Sequence, residues 1–163
     1  MKLYATEKIR NIGLIGHGGT GKTSLAEAML FHTGANNRIG RVDDDSSVMN
    51  YDAEEIKRKA TVSTSLAAIE YKDCKINLLD APGFDDFLGE VYKISGAIDM
   101  AIVTVNAQSG VEVGTEKNWA VMEMAKTPRI VYLSKLDKEN INLDKTFDSL
   151  KALDAKITPV IVP

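Results

Sequence analysis

The sequence predicts an α/β fold: a three-layer sandwich with a mostly parallel central sheet and an antiparallel hairpin at one edge. Strand-sized apolar runs alternate with segments whose apolar residues recur at helical spacing. One run, residues 100–105 (MAIVTV), is apolar without alternation, as expected for a strand covered on both faces. Two other runs are separated by only a few residues, which favours a hairpin.

The elements follow in order. Ile9, Ile12, Leu14 and Ile15 form a first strand that runs into a glycine-rich stretch. The next helix is expected to turn Leu25, Ala28, Met29 and His32 inward at a 3.6-residue period and to stop at Gly34. Residues 36–59 are polar, contain DDDSS, and read as an extended loop with a short charged helix over residues 53–59. Residues 66–71 and 75–79 are the hairpin strands, with the turn at Asp73 and Cys74. Phe87, Val91, Ile94 and Ile98 mark a helix face, as do Val113, Ala120, Val121 and Met124 after the buried strand. Residues 129–133 form another strand, and Leu143, Phe147, Leu150 and Leu153 line a further helix. A last strand is expected over residues 157–162, interrupted by Pro159. In such a sandwich the ligand loops stand at the C-terminal ends of the strands.

With 163 residues, 44% apolar and 26% charged, the chain can build one domain with its own core, and disorder is excluded. A formal charge of -3 offers no general basic footprint for nucleic acid or an anionic membrane. The single cysteine, Cys74, permits no internal disulfide and fits a reducing compartment. No apolar run is long enough to span a bilayer and the N-terminus lacks a secretory core, so a cytoplasmic, membrane-free and monomeric chain is expected. Cys74 is assigned no chemistry, and Trp119 and the methionines read as packing residues.

Gly16-His17-Gly18-Gly19-Thr20-Gly21-Lys22-Thr23 fits GxxxxGK[ST] between a strand and a helix, the context this phosphate-binding motif requires. The glycines let the backbone curl so that several N–H groups point inward. The helix start, including Ser24, adds unpaired N–H groups and the positive dipole end. Lys22 is placed to reach the β- and γ-phosphates, and the Thr23 hydroxyl to ligate Mg²⁺. His17 is expected to shape the loop. The fold expected is therefore that of the P-loop NTPases.

Asp80-Ala81-Pro82-Gly83 follows the strand ending in Leu79. A carboxylate at that strand end can hold the water shell of Mg²⁺, and the Gly83 N–H can meet a γ-phosphate. Ser134-Lys135-Leu136-Asp137 follows another strand and is similar to NKxD. The Asp137 carboxylate can accept from guanine N1–H and its amino group, a donor pair adenine lacks, which argues against an ATPase. The Lys135 stem can pack over the base. Thr61 and Thr64 both offer a loop hydroxyl to complete Mg²⁺ coordination, and the residues alone do not choose between them.

The stretches IGLIGHGGTGKTSLAEAMLF, EEIKRKATVSTSLA, INLLDAPGFDDFLGEV and GVEVGTEKNWAVMEMAKTPRIVYLSKLD together resemble the G domain of bacterial elongation factor G, in its elongation-factor-G-like branch. The resemblance covers residues 9–163. It implies GTP and GDP as ligands with Mg²⁺, and metal contacts from Thr23, Thr61 and Asp80. It makes Lys22, Thr61 and Gly83 the candidate catalytic residues. It further implies GTP hydrolysis that drives translocation, with the ribosome as partner and ribosomal RNA near the second switch.

Four positions depart from the family pattern. Phe84 stands where a histidine commonly positions the attacking water, and an aromatic ring neither exchanges a proton nor hydrogen-bonds that water. Gly19 replaces a common aspartate, Ala60 the glycine before the switch threonine, and Ser134 the usual asparagine. Weaker support of the guanine loop is expected from Ser134. Because the family continues through an inserted subdomain, a fifth guanine-loop motif and later domains, residues 1–163 are expected to be the N-terminal part of the G domain. Weak or absent turnover is expected of it alone. A ribosome-protection or release-factor GTPase, and a nucleotide-responsive ribosome-binding module with little hydrolysis, are the alternatives.

Overall fold

The computed structural model describes residues 2–161. Its elements are β1 (Ile9–Ile15), α1 (Lys22–His32), α2 (Ala53–Arg58), β2 (Ser65–Tyr71), β3 (Cys74–Asp80), α3 (Leu88–Ser95), β4 (Met100–Asn106), α4 (Val113–Met124), β5 (Arg129–Ser134) and α5 (Leu143–Leu153). The five strands form one sheet in the order β2-β3-β1-β4-β5. Only β2 and β3 pair antiparallel, with Ser65 opposite Asp80 and Tyr71 opposite Cys74; β1 pairs parallel with both β3 and β4, and β4 with β5. The predicted sandwich, hairpin included, is the one observed. The two-residue turn is Lys72 and Asp73, both left-handed (φ 45° and 62°), so Cys74 already belongs to β3.

Strand alternation divides the core into two layers. Leu14, Leu78, Ile69 and Ile102 face α1, where Ala26 and Leu30, joined by Met49 from the loop that follows, complete a cluster. Ile15, Val103 and Val105 face the other way, against Val91 and Ile94 of α3, Trp119 and Met122 of α4, and Leu150 of α5. Ala101, Val103 and Val105 are fully buried, as the unbroken apolar run of β4 requires. The Arg129 guanidinium lies 4.2 Å over the Trp119 ring, confirming that Trp119 packs.

Three expectations from periodicity are corrected. The buried face of α1 carries Lys22, Ala26, Glu27 and Leu30, while His32 is exposed. The buried face of α4 carries Gly114, Thr115, Asn118, Trp119, Val121 and Met122; Val113, Ala120 and Met124 are exposed. In α1 Leu25 and Met29 pack against the core as expected, and only His32 departs; in α4 polar side chains occupy inward positions, so the apolar residues do not trace the buried stripe. Residues 157–161 form no strand, and Val160 and Ile161 are 92% and 90% exposed. Pro159 has no N–H to donate to a ladder, and none of the sheet's five strands pairs with this segment. Val162 lies outside the described residues. No helix among those described is long and apolar enough to cross a membrane.

Candidate functional site

β1 ends beside β3 and β4, so its C-terminal loop opens at the centre of the sheet's ligand edge. Gly16, Gly19 and Gly21 have φ of 136°, 73° and 91°, values that a side chain would strain. The loop is fastened from below by hydroxyls. Thr20 Oγ1 donates to the His17 carbonyl (2.9 Å) and stands 2.7 Å from Thr104 Oγ1 of β4. Ser134 Oγ, at the end of β5, donates to the Thr20 carbonyl at 2.6 Å and lies 3.2 Å from the Val105 carbonyl. Ser134 therefore ties the end of β5 directly to the phosphate loop. His17 leans outward onto the start of α4, its Nδ1 against Gly114 and its Nε2 3.7 Å from Glu112 Oε1.

Lys22 and Thr23 open α1 inside the loop. Lys22 Nζ donates to the carbonyls of Gly16 (3.0 Å) and His17 (2.8 Å). Thr23 Oγ1 donates to Asp80 Oδ2 at 2.6 Å and lies 3.2 Å from Thr61 Oγ1, which in turn donates to Asn50 Oδ1 at 3.2 Å. Three oxygen-bearing side chains from separate stretches thus converge. Asp80 is wholly buried, and its Oδ1 has no hydrogen-bond partner among the described residues. Two hydroxyls and an orphaned carboxylate oxygen suit a hard divalent cation such as Mg²⁺. No group of three or more His, Cys, Asp or Glu forms a metal cage among the described residues, so such a cation would also draw on oxygens of a ligand.

Electrostatics point the same way. Burial pushes the Lys22 ammonium down from 10.5 to about 8, opposed by the negative charge of Asp80. Burial likewise pushes Asp80 up from 3.8 to about 6, opposed by the Thr23 hydroxyl and Lys22. A phosphate at Lys22 and a cation at Asp80 would each restore the charge that burial disfavours. Gly83 closes this site tightly: a methyl group there would collide with the Lys22 ammonium and come within 2.8 Å of Gly18 N. Phe84, half exposed, lays its ring against Gly18, 3.1 Å from where a Cβ would stand.

The loop from α1 to β2 is held by buried carboxylates. Glu27, fully buried, accepts from Gly40 N (3.1 Å), Ser47 Oγ (2.6 Å), Val48 N (2.7 Å) and Met49 N (3.1 Å). Glu55 accepts from Val62 N (2.8 Å) and Ser63 N (3.1 Å), fixing the chain just after Thr61. Thr64 turns the other way, its hydroxyl donating to Glu90 Oε2 at 2.9 Å. The left-handed residue before Thr61 is Lys59 (φ 52°), so Ala60 carries no such restriction.

The profile of the elongation factor Tu GTP binding domain matches residues 7–160. The chain belongs to that family. Elongation factor G of Granulibacter bethesdensis is 34% identical over 164 residues, which cover 100% of this chain and 24% of that protein. Elongation factor G of Mycoplasma pneumoniae is 36% identical over 155 residues, covering 94% of this chain and 22% of that protein. A crystal structure from Thermus thermophilus has a TM-score of 0.85 at 40% identity, over 89% of this chain and 22% of that one. The chain thus spans about a quarter of the length of these relatives. It is a translational GTPase domain of the elongation-factor-G-like kind, and its phosphate loop and sheet are those of a P-loop NTPase.

Within this GTPase domain one cavity of about 510 Å³ gathers most of the residues singled out by sequence. Gly18, Gly19, Gly21, Lys22, Thr23 and Ser24 line it from the phosphate loop, Thr61 and Gly83 from the two loops opposite, and Lys135 from the end of β5. Asp80 lies beneath, while Asp137 is exposed in the turn beyond Lys135 and does not line the cavity. Arg41, Val42, Asp43, Asn50 and Lys59 also line it, and no sequence pattern marked them. Glu27 and Glu55 hold the backbone of the loop that carries them.

Proposed function

We propose that this chain binds GTP and GDP with Mg²⁺ and that, within a longer protein like its relatives, it hydrolyses GTP to drive tRNA–mRNA translocation on the ribosome in the cytoplasm. The observation that carries the reading is the convergence of Thr23, Thr61 and Asp80 beside a buried Lys22 in a GxxxxGKT loop. Lys22 would exchange the carbonyls of Gly16 and His17 for β- and γ-phosphate oxygens. The Gly83 N–H would meet the γ-phosphate, and Asp137 would select guanine over adenine. Mg²⁺, held by Thr23 and Thr61 and through water by Asp80, would neutralise charge on the phosphates. Water attacks the γ-phosphorus in line, the bond to the β–γ bridging oxygen breaks, and GDP and phosphate leave. The ribosome, with its RNA near the Gly83–Phe84 loop, is the partner that would activate this step.

Calorimetric titration with GDP, GTP and ATP in Mg²⁺, beside Lys22→Ala, tests the site. Guanine-selective binding that disappears in the variant is the expected result. Equal affinity for ATP, or binding indifferent to Lys22→Ala, would overturn it.

Phe84 favours a second reading, a ribosome-binding module that senses nucleotide with little hydrolysis. The ring stacks on Gly18 at the cavity rim and offers no hydrogen bond to water. Ribosome-stimulated turnover of the full-length protein separates the two. Multiple turnovers per minute support the GTPase, whereas stalling after binding, relieved by Phe84→His, supports the module.

A further inference from the structure

The cavity contains a cation that the proposed mechanism leaves unused. Lys22 rests on two loop carbonyls, and Lys59 donates to the Asp43 carbonyl (2.9 Å) and pairs with the Asp45 carboxylate. Arg41 lines the same cavity, yet its guanidinium forms no hydrogen bond or ion pair among the described residues. Its backbone, in contrast, is fixed on every side. Arg41 N donates to Ser46 Oγ (3.0 Å), the Arg41 carbonyl accepts from Ser46 N (3.0 Å), and Asp45 N closes on the Val42 carbonyl (3.2 Å). The preceding Gly40 is pressed so close that a Cβ would stand 2.7 Å from Glu27 Oε2 and 2.6 Å from the Ser46 carbonyl.

The anchor of this turn is Glu27, a carboxylate without a cationic partner that is satisfied by four donors of the loop. Losing them would strand a buried charge, so the turn stays closed. Glu27 follows Thr23 by four residues on α1 and shares its face of the helix. One helix thereby sets both the metal-side hydroxyl and the turn that carries Arg41.

We propose that Arg41 is a phosphate-binding residue of this cavity, its backbone held at the rim by the turn that Glu27 anchors and its guanidinium left free to receive the phosphate chain of a bound nucleotide. The inference rests on the nucleotide-binding reading above and adds a residue to it. A guanidinium is permanently charged and can give two parallel hydrogen bonds to phosphate oxygens, which the ammonium of Lys22 cannot.

The test is titration of the full chain, as wild type, Arg41→Ala and Arg41→Lys, with GMP, GDP, GTP and inorganic tripolyphosphate in Mg²⁺. Arg41→Ala is expected to lose about tenfold in GTP affinity, less for GDP and least for GMP. Arg41→Lys is expected to recover part of the loss, and the melting temperature should not move, since the side chain is exposed and unpaired. An equal loss for all ligands, or no loss where Lys22→Ala abolishes binding, overturns the proposal. Arg41-dependent tripolyphosphate binding without guanine-nucleotide binding would sustain this inference while removing the GTP reading. Absence of both would remove both.

Discussion

The phosphate loop and the 36–64 loop face each other across one cavity, yet they are built by opposite means. The phosphate loop hangs between β1 and α1 and is tied down by short hydroxyl bonds to neighbouring strands, Thr20 to Thr104 and Ser134 to the Thr20 carbonyl. Its shape is fixed by the sheet. The 36–64 loop drives Met49 into the core beside Leu14 and Leu78 but otherwise takes its form from two buried glutamates, Glu27 and Glu55, each gathering backbone N–H groups. Strand-borne hydroxyls make a rigid cradle, whereas carboxylate clamps make a cover whose position depends on single side chains. The Glu27 turn holds the front of that cover closed, while Glu55 alone fixes the chain just after Thr61.

The comparison breaks most visibly at Glu27. Glu27→Ala would leave buried donors unpaired and is expected to cost about 3 kcal/mol or more in urea unfolding. Hydrogen exchange should then show Gly40, Val48 and Met49 losing protection while β1 and β4 keep theirs. Protection lost evenly across the sheet would contradict the two-part description.

Next in size is a pH effect centred on the cradle. Asp80 binds its proton more tightly in the fold (about 6) than in an unfolded chain (3.8), so its contribution to stability is full below pH 4 and is lost as pH rises through 6. Lys22 has the opposite sense: its contribution is full above 10.5 and is lost as pH falls through about 8. Both therefore disfavour the metal-free, nucleotide-free fold near neutral pH, Asp80 by about 3 kcal/mol. Unfolding of wild type and Asp80→Asn from pH 4 to 7 should diverge by that amount; parallel curves would refute the assignment.

Smaller effects sharpen the contrast. Glu55→Gln keeps one acceptor for Val62 and Ser63 and is expected to cost about 1–2 kcal/mol, with exchange quickening around Thr61. Ser134→Ala removes one hydroxyl bond between β5 and the phosphate loop and should cost about 1 kcal/mol, read as a fall in melting temperature. A neutral Ser134→Ala would mean that the loop holds its form without β5.

Legibility in the sequence follows the same division. Glycines at forced positions and an apolar run buried on both faces are local signals, so β1, the phosphate loop, the hairpin and β4 could all be placed from residues. Thr61 stands beside Thr23, as family resemblance implies, and Thr64 turns instead to Glu90. The faces of α1 and α4 were only partly legible, because Lys22, Glu27, Thr115 and Asn118 also point inward. Arg41 and Asn50 were invisible for a related reason. Their approach to the cavity depends on Glu27 reaching residues 13 to 22 positions away, and no periodicity records that. Asp137 stands beyond the cavity lining, so its guanine role rests on motif order and base chemistry.

The grip of Lys22 on the Gly16 and His17 carbonyls has one more consequence. Any anion entering the loop must outbid two good intramolecular acceptors before it gains the ammonium. Under the nucleotide-binding reading proposed above, chloride or a lone inorganic phosphate would make too few contacts to clear that threshold. A polyphosphate, spanning the amides, the ammonium and the rim at once, would clear it. The loop's own carbonyls would then screen out the small anions of its surroundings.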